Sequence, residues 1–556
     1  MQLARIRGDQ RSGAKWAVQD PLQSLLETLP PIDLGEEKAR FRDLQARLPE
    51  LERYLRGNPA GEQSVLVIPS LTLNQEELSH IEGVDHYEER MLFFLSLLRL
   101  PRIRVILVTS QPIEVNIIDY FLSHLEGIPF THARSRLVLL STHDSSPLPL
   151  TYKILERPRL LERISNAVRD PSKALMTCFN VTVLERRLAV VLGIPLYGTD
   201  PELNYLGTKS GSRKAFREAG VDLPAGFEDL RDEKDVVQAI SSLWQQLPDL
   251  KRVVIKLDDS FSGEGNALLD LRPIQHLRPG AASENRRLQG LNEQLPHVRL
   301  QARRLDWEGY FERFRRMRGI VEEFLEGEGK QSPSVQLRVT PSRDLRLIST
   351  HDQILGGPDG QVFIGCRFPA RADYRIQVMA AGMAVGEVFR RAGVLGRFGI
   401  DFIAVADGRG GWRLCALENN LRKGGTTHPF LTLQFLTAGT LDPITGEFHA
   451  PDGTRKYYVA SDNLVAKHYR GCSPEDLIDI AVLSGLIFQR SREVGVLFHL
   501  LGSLSQYGKL GATCVENSPE AADALYRRVL ATLDAELRRA WIPYALQGPP
   551  VAKKSD

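Results

Sequence analysis

The feature that most restricts the fold is a regular alternation between about residues 62 and 193. Short apolar runs (SVLVIPS, RIRVILVTS, RLVLLST, ALMTCFN) are separated by segments with helical spacing (VDHYEERMLFFLSLLRL, EVNIIDYFLSHLEG, RLLERISNAVR, VLERRLAVVLG). Strands joined through helices cannot pair as hairpins, so the crossovers make them parallel, in a sheet covered by helices. A parallel α/β domain is therefore expected over residues 62–200. It lacks a GxGxxG turn, so no dinucleotide fingerprint supports a cofactor site there.

The pattern changes on either side. Residues 1–61 read as a helical extension, with Phe41, Leu44, Leu48, Leu51, Tyr54 and Leu55 at helical spacing and a charged remainder that reads as a solvated face. After residue 200, two helices (KSGSRKAFREAG, EKDVVQAISSLWQQL) precede strand-rich sequence (RVVIKLDD, NALLDL, GIVEEFL, SVQLRVT, LRLISTHDQIL, VFIGCRF). A long helix, YRIQVMAAGMAVGEVFRRAG, then leads to FGIDFIAVA and WRLCALENN across the turn DGRGG. Residues 201–440 are thus expected to form a largely antiparallel α+β domain. Residues 441–556, with helices at PEDLIDIAVLSGLIF and PEAADALYRRVLATLDAELRRAW, are expected to be α-rich.

Several functional classes drop out. No P-loop, GxSxG elbow, HExxH or EF-hand loop occurs. The net charge of +2 gives no electrostatic case for nucleic acid or an anionic membrane. The most apolar stretch, MLFFLSLLRLPRIRVILVTS, is broken by Arg99, Pro101, Arg102 and Arg104 and cannot span a bilayer. Five cysteines without a CxxC pair, and an N-terminus without an apolar signal region, fit a cytoplasmic protein.

Three local signals carry chemistry. Asp401 interrupts an apolar strand, and Glu418 and Asn420 share one face of the next strand. If DGRGG joins the two as a hairpin, three oxygen donors converge in an apolar setting that suits a hard cation such as Mg²⁺. The other reading is a buried hydrogen bond at Asp401 and an ion pair between Glu418 and Arg422. The second signal is KLDDSFSGEGN. Lys256 ends a strand, and Ser262, Gly263 and Gly265 follow in a flexible turn that could admit phosphate, or could be a plain hairpin. The third is LGTKSGSR, which places Lys209 and Arg213 at a helix start, where the dipole favours anions and a capping serine would look the same. Only 16 of the 71 basic residues are lysines, which makes Lys209 and Lys256 minority choices.

Taken in order, Lys209, Lys256 with SFSGEGN, the hinge VEEFLEG, Asp401, and Glu418 with Asn420 resemble the ATP-grasp superfamily. The preceding α/β segment is similar to a pre-ATP-grasp domain. ENNLRKGGTTHPF looks like the E-x-N-x-R ending of several carboxylate–amine ligases. HYEERMLFFLSLLRLPRIRVILVTSQPI, GTKSGSRKAFREAG and FHLLGSLSQYGKLGATCVENSPEAADALY look most like the pheganomycin-type peptide ligases.

The resemblance implies an ATP-dependent ligase that joins a small-molecule or peptide carboxylate to an amine through an acyl phosphate. Asp401, Glu418 and Asn420 would hold one or two Mg²⁺ ions, and Lys209 and Lys256 would neutralise ATP phosphates beneath the loop Ser262–Gly265. Glu322 would accept from the adenine amino group, backbone groups near Phe324 and Leu325 would complete that edge, and Arg422 would hold the acyl phosphate. Many relatives place a ribose-binding acid in an FxxGxE pattern, whereas FLEGEGKQSPSV sets Glu328 out of that register by one position, or offers no such acid. A homodimer is the default assembly. Two alternatives stay open: another ATP-grasp outcome, biotin-carboxylase-like or thioester-forming, and a nucleotide-binding scaffold without turnover.

Overall fold

The computed structural model describes residues 21–58, 61–73, 75–78, 81–260, 265–301, 305–327, 329–356 and 362–539. The alternating segment folds as β1 (Gln63–Ile68), β2 (Ile103–Thr109), β3 (Leu137–Ser141) and β4 (Ala174–Cys178). All pairings are parallel, in the order β3-β2-β1-β4. Every residue of β1 is buried, which explains why it reads as an unbroken apolar run. The helix Val183–Leu192 starts on a Thr182/Glu185 capping box and stops at Gly193 in the left-handed region.

The N-terminal helices Leu34–Ala46 and Leu48–Gly57 pack on this domain and bury Phe41, Leu48 and Leu51. Their charged face is not wholly solvated. Glu37 is fully buried and accepts from Arg186 and Arg187 of the helix Val183–Leu192. Segment Val84–Arg99 is wound as 3₁₀ turns rather than the expected α-helix. It buries Met91, Leu92, Phe93, Leu95 and Leu98 in one apolar cluster with Leu433, Phe498 and Leu504, so packing rather than one amphipathic face sets its winding.

A second sheet contains β5 (Gly226–Leu230), β6 (Arg252–Leu257), β7 (Asn266–Asp270), β8 (Arg299–Leu300) and β9 (Gly319–Glu323), antiparallel in the order β5-β9-β6-β7-β8. Its core gathers Trp244, Tyr310, Phe311 and Phe314 from the helices Glu233–Gln246 and Trp307–Met317.

The third sheet holds Asp401, Glu418 and Asn420. Its strands are β10 (Pro333–Val339), β11 (Leu345–Gly356), β12 (Val362–Phe368), β13 (Gly396–Ala406) and β14 (Trp412–Asn420). After a short ribbon, β15 (Thr440–Leu441) with β16 (Phe448–His449), come β17 (Tyr457–Val465), β18 (Gly495–His499) and β19 (Lys509–Glu516). The order is β14-β13-β10-β11-β12-β17-β19-β18, so the sheet runs across residue 440. The expected helices Pro474–Leu483 and Pro519–Arg539 are present, but β17, β18 and β19 were not anticipated. Val335, Leu337, Phe398 and Ile400 press one face of β10 and β13 onto the long helix Ala372–Ala392. Alternation therefore places Ser334, Gln336, Arg338, Arg397, Gly399 and Asp401 on the opposite face.

Among the described residues no helix is long and apolar enough to cross a membrane. All five cysteines are buried and free.

Candidate active site

DGRGG closes the hairpin between β13 and β14, with Asp407 accepting from the N–H groups of Arg409 and Gly411. The resulting register sets Asp401 directly opposite Glu418, and Gly399 opposite Asn420. A bulge just past this pair leaves two β14 residues facing one on β13 and bends the strand at the site. Asn420 donates to Asp401 Oδ2 at 3.0 Å, and Gln353 of β11 donates to Oδ1 at 2.7 Å. Asn419 points the other way and bonds Ser212 on the helix Lys209–Ala219, fixing that helix against the strand.

Two carboxyl groups this close in partial burial cannot both ionise easily. Burial, and then the Glu418 charge, push Asp401 up to about 7. Burial acts on Glu418 in the same direction, but Lys209, Lys256 and Arg422 outweigh it and hold Glu418 below its ordinary value. Lys209 Nζ lies 3.4 Å from Glu418 Oε2 and also donates to the Ser260 carbonyl and hydroxyl. Burial lowers Arg422 against the pull of Glu418, Asp401 and Asp259. Asp401, Glu418, Asn420 and Arg422 line one cleft of about 250 Å³, together with Gln353 and Arg90.

The second lysine sits on the small sheet. Lys256 Nζ is 2.5 Å from Glu322 Oε1, and Arg213 Nη1 is 3.2 Å from Glu322 Oε2. Both oxygens of the hinge carboxylate are thus engaged. The Phe324 N–H donates to the Arg252 carbonyl, and its ring lies under the Arg252 and Lys330 cations. Leu325 is buried against Val405 and Cys415. Gly265 needs to be glycine, because a Cβ there would come within 2.2 Å of Ser260 Oγ. Ser262, Gly263 and Glu328 lie outside the described residues.

Sequence reasoning missed Gln353, Ser260 and Arg90. Gln353 and Arg90 reach the site only through strand pairing and domain packing, and no local motif marks them. Next to the cleft, Asp462 accepts from His428 and His499 at 2.9 and 2.7 Å, and Arg90 Nη2 lies 2.5 Å from its other oxygen. The three side chains could surround a small cation, but Arg90 already balances the one buried negative charge. A divalent ion there would leave excess buried positive charge, so this is a closed polar network tying β17, β18 and the helix Thr427–Thr437 to the first domain.

Asp401, Glu418 and Asn420 offer hard oxygen ligands of the kind a divalent cation takes, and burial with the Glu418 charge holds the Asp401 carboxyl up to about 7.

Comparison with known proteins adds to this geometry. The family described as IQCH-like, ATP-grasp, matches residues 201–443, and the PGM1 C-terminal domain matches residues 476–529. The L-propargylglycine–L-glutamate ligase of Streptantibioticus cattleyicolor is 30% identical over 498 residues, 88% of this chain and 97% of that protein. IQ motif-containing protein H of Danio rerio is 24% identical over 486 residues, 79% of this chain and 46% of that protein. Among solved structures, the biotin carboxylase domain of Hydrogenobacter thermophilus 2-oxoglutarate carboxylase, with Mg·ADP and bicarbonate, matches with a TM-score of 0.48 at 13% identity, over 85% of this chain and 89% of that one.

Proposed function

This chain belongs to the ATP-grasp family of ATP-dependent ligases, and from that premise we propose that its cleft joins an amino-acid or peptide carboxylate to an amine, with release of ADP and phosphate. The observation that carries the reading is the register of β13 on β14. It sets Asp401 against Glu418 with Asn420 beside them, and a lysine from a separate element touches Glu418. The name of the Streptantibioticus relative pairs two amino acids, which supports amino-acid substrates here.

In the first step a carboxylate oxygen attacks the γ-phosphorus of ATP, the bond to the β-phosphate oxygen breaks, and ADP leaves. The amine nitrogen then attacks the acyl carbon, phosphate departs, and the nitrogen loses a proton. Asp401, Glu418 and Asn420 would hold Mg²⁺, which when bound supplies positive charge beside the β- and γ-phosphates.

The chain's own residues position and neutralise. Lys209 and Lys256 approach ATP phosphates from two elements, giving up Glu418 and Glu322 as partners when they do so. Glu322, freed by Lys256, offers Oε1 to the adenine amino group, and the backbone at Leu325 meets the ring edge. Arg422 lies two residues past Asn420 and presents its planar fork to the acyl phosphate and to the tetrahedral species that follows.

The test is Arg422→Ala. Calorimetric binding of Mg·ATP should stay close to wild type, because the lysines and the oxygen donors are intact. Amide formation should fall by at least ~100-fold, the scale for losing one donor to a developing oxyanion. If binding and catalysis vanish together, Arg422 is a structural partner of Glu418. If wild type binds ATP but a broad screen of amino acids and amines yields no ADP, the ligase reading fails.

A further inference from the structure

Four residues along β13 from Asp401, on the same face, stands Arg397, and the β10–β13 register places Arg338 directly opposite it. Arg346 of β11 faces Arg338 from the other side, so three guanidinium side chains form a cross-strand row. Arg346 pairs with Asp344 at 3.3 Å. Arg338 and Arg397 have no carboxylate partner among the described residues. Arg338 Nε and Arg397 Nη1 are buried and make no hydrogen bond there.

Like charges opposed across two strands repel, and a buried unbonded guanidinium N–H is costly. Burial, and then Arg338, push Arg397 down to about 9, while the Tyr197 phenol acts the other way. The Lys423 ammonium, lowered to about 8 by burial and in part by Arg397, is a further positive charge nearby, and donates to Thr177 Oγ1 and the Cys178 carbonyl. The groups around Tyr197 include one acid, Glu52, but its carboxylate is taken by Ser342 and Arg56. A row of cations without a counter-charge is a site short of an anion.

Position says which anion. Gln336, Gly399 and Gly424 line the cleft, and each is within two residues of one member of the cluster: Arg338, Arg397 and Lys423. Midway along β13 between Asp401 and Arg397, Gly399 leaves the cleft floor open. A Cβ there would meet nothing nearer than the Val335 carbonyl at 3.9 Å. About 13 Å of strand separates the two ends, and the reach of an arginine side chain shortens that span to the length of one small molecule.

We propose that Arg338 and Arg397 bind a second carboxylate on the acyl-donating substrate, so that the enzyme activates one end of a dicarboxylate while its other end is held by the arginine pair. This rests on the ligase reading above and names its substrate class. A planar guanidinium pair matches carboxylate oxygens bidentately, which a point charge would not do.

The experiment uses the full chain and three probes at matched ionic strength: glutarate, butyrate and inorganic phosphate, each with Mg·ATP present. Calorimetry should show glutarate binding at least ~10-fold tighter than butyrate, with a matching rise in melting temperature. Arg397→Met should lose at least ~10-fold in glutarate affinity and leave butyrate unchanged. It should also fold at least as stably as wild type without anion, because it removes an unpaired buried charge. Glutarate no tighter than butyrate in wild type would overturn the proposal whatever the variant does. Phosphate displacing glutarate and binding more tightly would also overturn it, making this a phosphate site. Failure of the ligase reading shows separately, as absent ADP formation in a protein that still distinguishes glutarate from butyrate.

Discussion

Asp401→Asn gives the most direct view of the charge crowding at the cleft. The carboxyl sits at about 7 in the folded protein because burial and Glu418 oppose its ionisation. Its value in an unfolded chain is about 3.9. The folded state therefore binds the proton more tightly, and wild type loses stability as pH rises from about 4 to about 7. Between about pH 5 and about pH 8 that loss is at most about 2.5 kcal/mol, an upper bound because Asp401 opens onto the cleft. Asparagine cannot ionise, so the variant should escape the penalty. It gives up one acceptor, since both Asn420 and Gln353 donate to Asp401 and one of them would face an amide N–H, at about 1–3 kcal/mol. The variant should be less stable than wild type at about pH 5, and should regain stability relative to wild type by about 1–2 kcal/mol at about pH 8, less than the full penalty because of solvent screening. Urea unfolding of both proteins at the two pH values, without nucleotide or Mg²⁺, measures this difference. Turnover by the variant should fall at least ~100-fold at either pH. A stability difference that does not move with pH would refute the argument that burial and Glu418 hold the proton on Asp401.

Lys256→Ala should weaken ATP binding more than AMP binding, measured by calorimetry, because the ammonium is expected on the phosphates; equal losses for ATP and AMP would place its role at Glu322 instead. Arg90→Met strips Asp462 of its cation and should destabilise the protein by about 3–5 kcal/mol at neutral pH. The deficit should shrink near about pH 5. His428, now lowered to about 4 by burial and by Arg90 among others, can then take up a proton and restore the missing charge. A deficit independent of pH would show that His428 does not respond to Asp462.

Much of the architecture is written locally. Strands β1 to β4 alternate with helices in a way that allows little but a parallel sheet, and a strand buried on both faces has to be apolar throughout. The metal candidates were legible because period two and a short glycine turn are enough to oppose Asp401 and Glu418. β17, β18 and β19 were harder to see. Their partners are other strands far along the chain, and GVLFH or KLGATCVE as short apolar runs do not distinguish strand from buried helix. The 3₁₀ winding of Val84–Arg99 is set by what packs around it rather than by its own spacing.

The chain alone determined which residues carry charge, which alternate, and the order in which the lysines, the hinge and the acids appear. Only the tertiary structure decided who meets whom. It engaged Glu322 with Lys256 and Arg213, brought Gln353 to Asp401, sent Arg90 across a domain boundary to Asp462, and set Arg338 against Arg397. A contact between residues tens to hundreds of positions apart depends on register and packing summed over whole sheets, and leaves no local trace in the side chains that make it.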